Sequence, residues 1–308
     1  MIGFARSRKK AETVFPDQKP EFVFGDIKNR ADVEKLFEAD GPYIVLHTVA
    51  KVTIGEGDAK ELYDVTVQGT KTVVECSLAH GAEKFIHISS TEALPRGVRS
   101  DENLRNYRPQ PETSRKGYAK AKATADAVVL QAFHEHGLNA GILFLSSVLG
   151  PGDYSIGHMS QMFIDFVNGK LPASVRDGYN DFDIRDLAQV LPQIVERAEA
   201  GEGYIFANRP DRIDEILGYV ADFTGKKRPP ALPVWLAYVG LPFLFLYAKV
   251  RKKRPLYTRA ALAALREDAD FPIRKTCETF GFSPRPLQET VVDHVRFLAQ
   301  IGKIKLEN

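Results

Sequence analysis

Ser114–Gly137 reads SRKGYAKAKATADAVVLQAFHEHG. Alanine dominates it, and apolar residues recur at Ala121, Ala125, Val128, Val129, Ala132 and Phe133, the spacing of one helix face. Ser114 is the expected N-cap and Gly137 the expected stop. On this helix Tyr118 and Lys122 are four residues apart and share a face about one turn apart. A free phenol ionises near pH ~10 and exchanges its proton poorly at neutral pH. A fixed ammonium one turn away favours the phenolate and is expected to lower that pKa. The pair is therefore a candidate acid/base device, with tyrosine as the acid and lysine as its tuner. By itself the spacing also describes an ordinary solvated i,i+4 pair.

The segment before the helix adds the missing element. Lys84–Ser90, KFIHISS, is a short run with β-branched residues, bounded by Gly81 and Pro95. It reads as a buried strand that ends in two serines. A hydroxyl at the carboxyl end of a parallel strand faces the crevice where such folds bind ligands. Ser90, Tyr118 and Lys122 would together hold a carbonyl oxygen, protonate it and tune the donor.

With HISST ending the strand and YAKAK opening the helix, the chain resembles the extended short-chain dehydrogenase/reductase family. These proteins are also called the NAD(P)-dependent epimerase/dehydratase family. The resemblance implies an α/β fold, a Rossmann-like doubly wound parallel sheet with a smaller, mostly helical C-terminal substrate region. It puts an NADP-binding, catalytic domain at 1–153 and a substrate region at 154–308, with 180–208 returning to the sheet.

Further matches follow in the family's order. Met1–Ala5 looks like the end of a strand and runs into Arg6-Ser7-Arg8-Lys9-Lys10. In the family this point lies beside the adenosine ribose, where basic residues accommodate the 2′-phosphate of NADP and an acid would favour NAD. Arg6, Ser7 and Arg8 thus imply NADP, with NAD as the alternative. Glu21–Ile27 is the next strand, and its Asp26-Ile27 resembles the family's pair by the adenine ring. Asn29 is placed to cap a helix carrying Val33, Leu36 and Phe37. Tyr43–Ala50 reads as a parallel strand covered on both faces. Its HTVA resembles the segment under the cofactor, which assigns Thr48, Val49 and Ala50 to cofactor contact and leaves His47 structural.

Asn139–Val148 is the following strand. The resemblance assigns Ser89, Tyr118, Lys122, Leu145 and Ser147 to the cofactor, and Thr91, Glu92 and Ser146 to the substrate. The match is imperfect: Thr66 and Ser147 stand where asparagine is usual, Leu145 where proline is, and Leu149 where tyrosine is. Asp183 and Asp186 in NDFDIRDLA are expected to satisfy loop amides and a helix N-terminus.

The family's strand-to-helix turn, Gly-x-x-Gly-x-x-Gly, is not found. Those glycines let the backbone approach the pyrophosphate at a helix N-terminus. The sheet is therefore expected to lack its first strand and helix, and to show a gap or a re-paired edge beside Tyr43–Ala50. The sequence reads as a truncated form of a longer parent; this chain is expected to bind NADP weakly or not at all, and the implied function is the intact parent's.

Ala231–Val250 is long and apolar, but Pro233, Gly240 and Pro242 interrupt it, and Lys249 and Arg251–Arg254 follow. A substrate lid, a segment on a bilayer surface through 231–254, or a buried helix pair fits better than a spanning helix. This tail resembles the 3β-hydroxysteroid dehydrogenase and dihydroflavonol-4-reductase-like branch. The implied activity is NAD(P)H-dependent reduction of a ketone, or oxidation of a secondary alcohol, on a steroid-, flavonoid- or lipid-like molecule. The alternatives are a nucleotide-sugar dehydratase, disfavoured because Thr91 replaces the acid of the Thr-Asp-Glu motif, a nucleotide-sugar epimerase, disfavoured by Ser147 and the apolar pocket stretch, and a non-catalytic NADP-sensing scaffold or inactive truncated member.

The net charge of +2 does not point to nucleic acid. Two distant cysteines, Cys76 and Cys277, show no metal spacing and suit a reduced cytoplasmic protein, and no signal peptide is evident. By analogy with the family, a homodimer through the helices Ala59–His80 and Ser114–Gly137 is expected.

Overall fold

Short β-branched and aromatic runs alternate with longer alanine-bearing runs, and this alternation builds parallel strands joined by helices. Residues 1–16, 20–39, 41–52, 58–95, 104, 107–114, 117–239, 241 and 270–306 are described in the structure, a computed structural model. In chain order the elements begin β1 Ile2–Ala5, α1 Arg8–Val14, β2 Glu21–Phe24, α2 Arg30–Glu34 and β3 Ile44–His47. Helix α3, Ala59–Tyr63, passes through a π-helical turn at Asp64–Gln68 into α4, Gly69–Ala79. Then come β4 Lys84–Ser90, α5 Tyr118–His136, β5 Ala140–Leu145, β6 Ser147–Leu149, α6 His158–Val167 and β7 Ser174–Val175. The rest are β8 Asp181–Asp183, α7 Ile184–Gln189, α8 Leu191–Arg197, β9 Gly203–Phe206, α9 Ile213–Thr224, β10 Ala231–Leu232, α10 Arg274–Phe280 and α11 Leu287–Gln300.

These elements form two units. The first comprises Met1–Leu145, Val190–Phe206 and Pro272–Gly281; the second comprises Ser146–Gln189, Ala207–Phe271 and Phe282–Asn308. The chain thus leaves the first unit after Leu145 rather than Asp153, and returns at Val190 rather than at 180.

In the first unit a four-stranded parallel sheet runs β3-β4-β5-β9, and β1 and β2 form a separate parallel pair. Every residue of β5 is buried. Among the described residues β1 and β3 each have a strand neighbour on one side only, which is the gap expected beside Tyr43–Ala50. The expectation that this strand is covered on both faces fails: Ile44 is 51% and Leu46 40% exposed. Asn29 caps α2 as expected, its side chain accepting from the Ala31 N–H. Helix α5 ends at Gly137, whose φ of 68° lets its N–H turn back onto Phe133 and Ala132 carbonyls. Its start differs from the expectation. The helix begins at Tyr118 after Gly117 (φ 77°), and the Ser114 hydroxyl donates to the Gln110 carbonyl instead of capping.

In the second unit Met162, Phe163, Ile216, Leu217, Val291 and Val295 bring α6, α9 and α11 into one core. Asp183 takes two hydrogen bonds from the Arg185 guanidinium, at 2.9 and 2.7 Å, and one from the Arg185 N–H. Asp186 accepts from the Arg285 N–H and guanidinium at 2.9 and 2.7 Å. Both acids are structural, as their sequence context implies. The loop after β6 is held by a buried polar set. The Gly150 N–H donates to His294 Nδ1 at 3.2 Å, Ser160 Oγ lies 2.8 Å from His294 Nε2, and the same hydroxyl meets Asp153. Of Ala231–Val250, only 231–239 and 241 are described, as β10, a helical turn at 234–239, and Leu241; the remainder lies outside the described residues. Among the described residues no helix is long and apolar enough to cross a membrane.

Candidate active site

Ser90 is the last residue of β4 and Tyr118 the first of α5, so sheet and helix deliver them to the same carboxyl end of the sheet. The Tyr118 phenol is hydrogen-bonded to the Ser90 hydroxyl, a contact that favours the phenolate. Ser90 Oγ also accepts from the Glu92 N–H at 3.2 Å. One turn along α5, Lys122 is 3% exposed, and its ammonium donates to the Ile88 carbonyl at 2.7 Å. The structure therefore brings together the three side chains singled out in the sequence.

Their electrostatics correct one expectation. Burial pushes the Tyr118 phenol up to about 12, and the Ser90 hydrogen bond offsets only part of this. Burial also brings Lys122 down to about 8, against the pull of Asp126. Desolvation dominates both shifts, and the charges that act on the phenol, Glu92 and Asp126, raise it further. At neutral pH the phenol keeps its proton and the lysine is still mostly an ammonium.

Ser89 and Thr91 are buried beside Ser90, and Glu92 lies in the 3₁₀ turn Thr91–Ala93. Leu145 pairs in register with Ser90. Thr48, Val49 and Ala50 continue past β3 at the same end, since His47 pairs with His87 three residues before Ser90. Arg6, Ser7 and Arg8 follow β1, and Asp26 and Ile27 follow β2. Ser7 caps α1, the Arg8 guanidinium stands 4.4 Å over the Phe24 ring, and Ile27 is buried. Asp26 accepts from the Lys28 N–H at 3.0 Å. Glu61 joins the two strand ends, 3.9 Å from Arg6 and 3.0 Å from Lys51. Ser146 and Ser147 belong to the second unit; the Ser146 hydroxyl donates to Asn180 at 3.4 Å, and Ser147 pairs in register with Asp181. Thr66, in place of asparagine, still serves as an acceptor, taking the Lys51 N–H at 3.1 Å.

Sequence reasoning passed over a third group on the same helix face. Asp126, one turn beyond Lys122, is wholly buried; Tyr107 OH donates to its Oδ2 at 3.2 Å. The signal was present, since positions 118, 122 and 126 continue the i, i+4, i+8 series, but counting apolar residues hides an acid.

The reacting end of a nicotinamide cofactor fits the residues present: a hydroxyl, a protonated phenol and an ammonium share one strand end. Its pyrophosphate does not, because no glycine-rich strand-to-helix turn occurs among the described residues and β1 and β3 have unpaired edges.

The sequence model of the NAD dependent epimerase/dehydratase family matches residues 1–207. The chain belongs to this family. Members of the family are NAD(P)-dependent oxidoreductases and dehydratases. Sterol demethylase protein B of Methylococcus capsulatus is 29% identical over 213 residues, 68% of this chain and 62% of that protein, slightly under two thirds of its length. The 3beta-hydroxysteroid-dehydrogenase/decarboxylase isoform 1 of Arabidopsis thaliana is 27% identical over 307 residues, 94% of this chain and 68% of that one. The fold is that of the dTDP-glucose 4,6-dehydratase DesIV of Streptomyces venezuelae, solved with NAD bound (TM-score 0.70, 18% identity, 97% of this chain and 87% of that chain).

Proposed function

We propose that this chain carries the proton-transfer machinery of an NAD(P)-dependent oxidoreductase acting on an apolar, ring-like ketone or secondary alcohol. The observation that carries the reading is the convergence of Ser90, Tyr118 and Lys122 at the end of β4. The substrate class follows the sterol-directed names of the two relatives. A bound nicotinamide cofactor supplies or accepts the hydride.

The chain's own residues do the rest. Ser90 holds the substrate oxygen, and Tyr118 gives it the phenol proton as alkoxide character develops. An alkoxide is a stronger base than a phenolate, so a phenol near pKa 12 donates readily but is a weak base at pH 7. This favours the reductive direction. Lys122 stabilises the phenolate left behind. Arg6, Ser7 and Arg8 favour NADP, Asp26 and Ile27 lie by the adenine, and Thr48, Val49, Ala50, Ser89 and Leu145 border the rest of the cofactor. Thr91 and Glu92 meet the substrate.

The test is consumption of NADPH with a panel of 3-ketosteroids. Tyr118→Phe is expected to lower kcat by about 10²–10⁴-fold with the melting temperature little changed. Unchanged turnover in a folded Tyr118→Phe protein ends the reading and favours a non-catalytic NADP-sensing role. A second reading, nucleotide-sugar dehydration or epimerisation, draws on Glu92 standing directly behind the Ser90–Thr91 end of the strand. Conversion of a UDP- or dTDP-sugar without ketosteroid reduction would select it. Trp235 and Val239, 64% and 62% exposed, support contact of 231–254 with a lipid surface, testable by sedimentation with anionic vesicles. A homodimer through α4 and α5 is testable by light scattering.

A further inference from the structure

Helix α5 turns three ionisable side chains toward β4 in successive turns, Tyr118, Lys122 and Asp126. The reaction uses only the first two. Asp126 is 0% exposed, and a carboxylate taken so far from water needs a positive partner. Its immediate surroundings do not supply one. Tyr107 OH, itself buried, donates to Oδ2 at 3.2 Å and is neutral, its phenol pushed far up by burial first and by Asp126 next. His87 Nε2 comes within 3.2 Å of Oδ1, but off the line of a hydrogen bond. Burial lowers the His87 pKa, so that ring is neutral too.

From β4 come His87 and the Ile88 carbonyl that holds Lys122. From β3 comes His47, stacked 5.5 Å from His87, its Nε2 2.9 Å from Thr70 Oγ1. The Thr70 hydroxyl already donates to the Thr66 carbonyl, so His47 is the donor in that contact and carries its proton on Nε2. Burial keeps His47 uncharged. From the turn after β4, Glu92 acts on Tyr118, and its charge is negative. The ammonium of Lys122 is thus the positive charge that Asp126 meets within this set.

We propose that Asp126 is the buried counter-charge that keeps Lys122 an ammonium, which makes it a positioning residue of the Tyr118–Lys122 pair. Lys122 donates to a neutral carbonyl rather than to a carboxylate. Its charge is therefore held against burial through space, by a carboxylate one helical turn away. Tyr107 fixes that carboxylate by its hydroxyl. Without Asp126 the lysine gives up its proton inside the working pH range, and the phenolate loses its stabiliser. The consequence for catalysis rests on the function proposed above; the charge coupling does not.

The experiment reads the lysine directly. Side-chain ¹⁵N NMR of lysine-labelled protein, without added cofactor, follows the titration of Lys122. In Asp126→Asn it is expected to move down by about one pH unit or more, a tenfold loss of proton affinity. Asp126→Glu is expected to restore most of it. A merely structural role for Asp126 would lower the melting temperature of Asp126→Asn and leave the lysine titration where it was, which overturns the proposal. A second variant stands even where Asp126→Asn fails to fold. With a carboxylate still on that turn in Asp126→Glu, Lys122 is expected to hold its proton at pH 7; a lysine that is neutral at pH 7 in that folded variant overturns the proposal as well. Both variants decide the coupling whether or not the protein reduces ketosteroids. Where it does, the alkaline limb of the pH–rate profile shifts down in Asp126→Asn along with Lys122.

Discussion

Strands β5 and β3 belong to one sheet, and both are built of isoleucine, leucine and their like. Ile142 and Leu143 of β5 are 1% and 0% exposed, whereas Ile44 and Leu46 of β3 are 51% and 40% exposed. Residue type does not account for the contrast; neighbours do. Strand β5 is paired on both sides, by β4 and β9, while β3 is paired only by β4 among the described residues. The residues proposed for proton transfer sit at the end of β4 and the start of α5, next to the densely packed β5. The groups read as meeting the adenosine sit on the β1–β2 pair, whose residues are nearly all half-buried. The unit therefore holds a densely packed part around β4 and β5 and a thinly covered part at β1 and β2. The first is expected to keep its geometry on its own packing.

The largest effect should come from Phe144→Ala, at a fully buried β5 position beside Tyr107. A loss of about 3–5 kcal/mol in denaturant unfolding is expected; a loss below 1 kcal/mol would mean that the packed half is not what it looks like. Next, amide hydrogen exchange should separate the halves, with β4 and β5 protected by roughly 10²-fold or more over β1 and β2. Equal protection would erase the contrast. Third comes acid. His47 and His87 span β3 and β4, and burial, with other charges secondary, lowers both pKa values. Unfolding lets both rings bind protons, so their contribution is complete above about pH 6.5 and is lost as pH falls from there toward the folded values. The urea midpoint should fall between pH 7.5 and pH 5.5, and by less in His87→Gln. The smallest effect should be Ile44→Thr, within about 0.5 kcal/mol of the parent, because the side chain has little burial to lose.

Much of this was legible in the sequence where local chemistry is decisive. Lys84–Ser90 reads as a strand from its β-branched run, Asn29 as a cap from its short acceptor, and Gly137 as a stop because a left-handed residue is needed there. The gap beside β3 was legible as a missing glycine turn. What was not legible depends on tertiary surroundings. Ser114 has a good cap's chemistry, yet the chain there is held by Gln110, and the helix starts four residues later. The run Asn139–Val148 looks like one strand but is divided at Ser146, where the chain passes from one unit to the other. The phenol's pKa depends on depth, and sequence spacing shows only its charged neighbour. Asp126 was hidden for the same reason, an acid among alanines on a face read for its apolar members.

The polar set that holds the loop after β6 has a consequence for chemical labelling. A serine, a histidine and an aspartate in mutual contact would be flagged as a hydrolase triad on distances alone. Here the proton order runs the wrong way. Gly150 occupies His294 Nδ1 as a donor, so the ring's proton sits on Nε2 and points at Ser160, whose own proton goes to Asp153. The imidazole is a donor to that hydroxyl and not its base, so fluorophosphonate reagents that tag active serines should pass over Ser160.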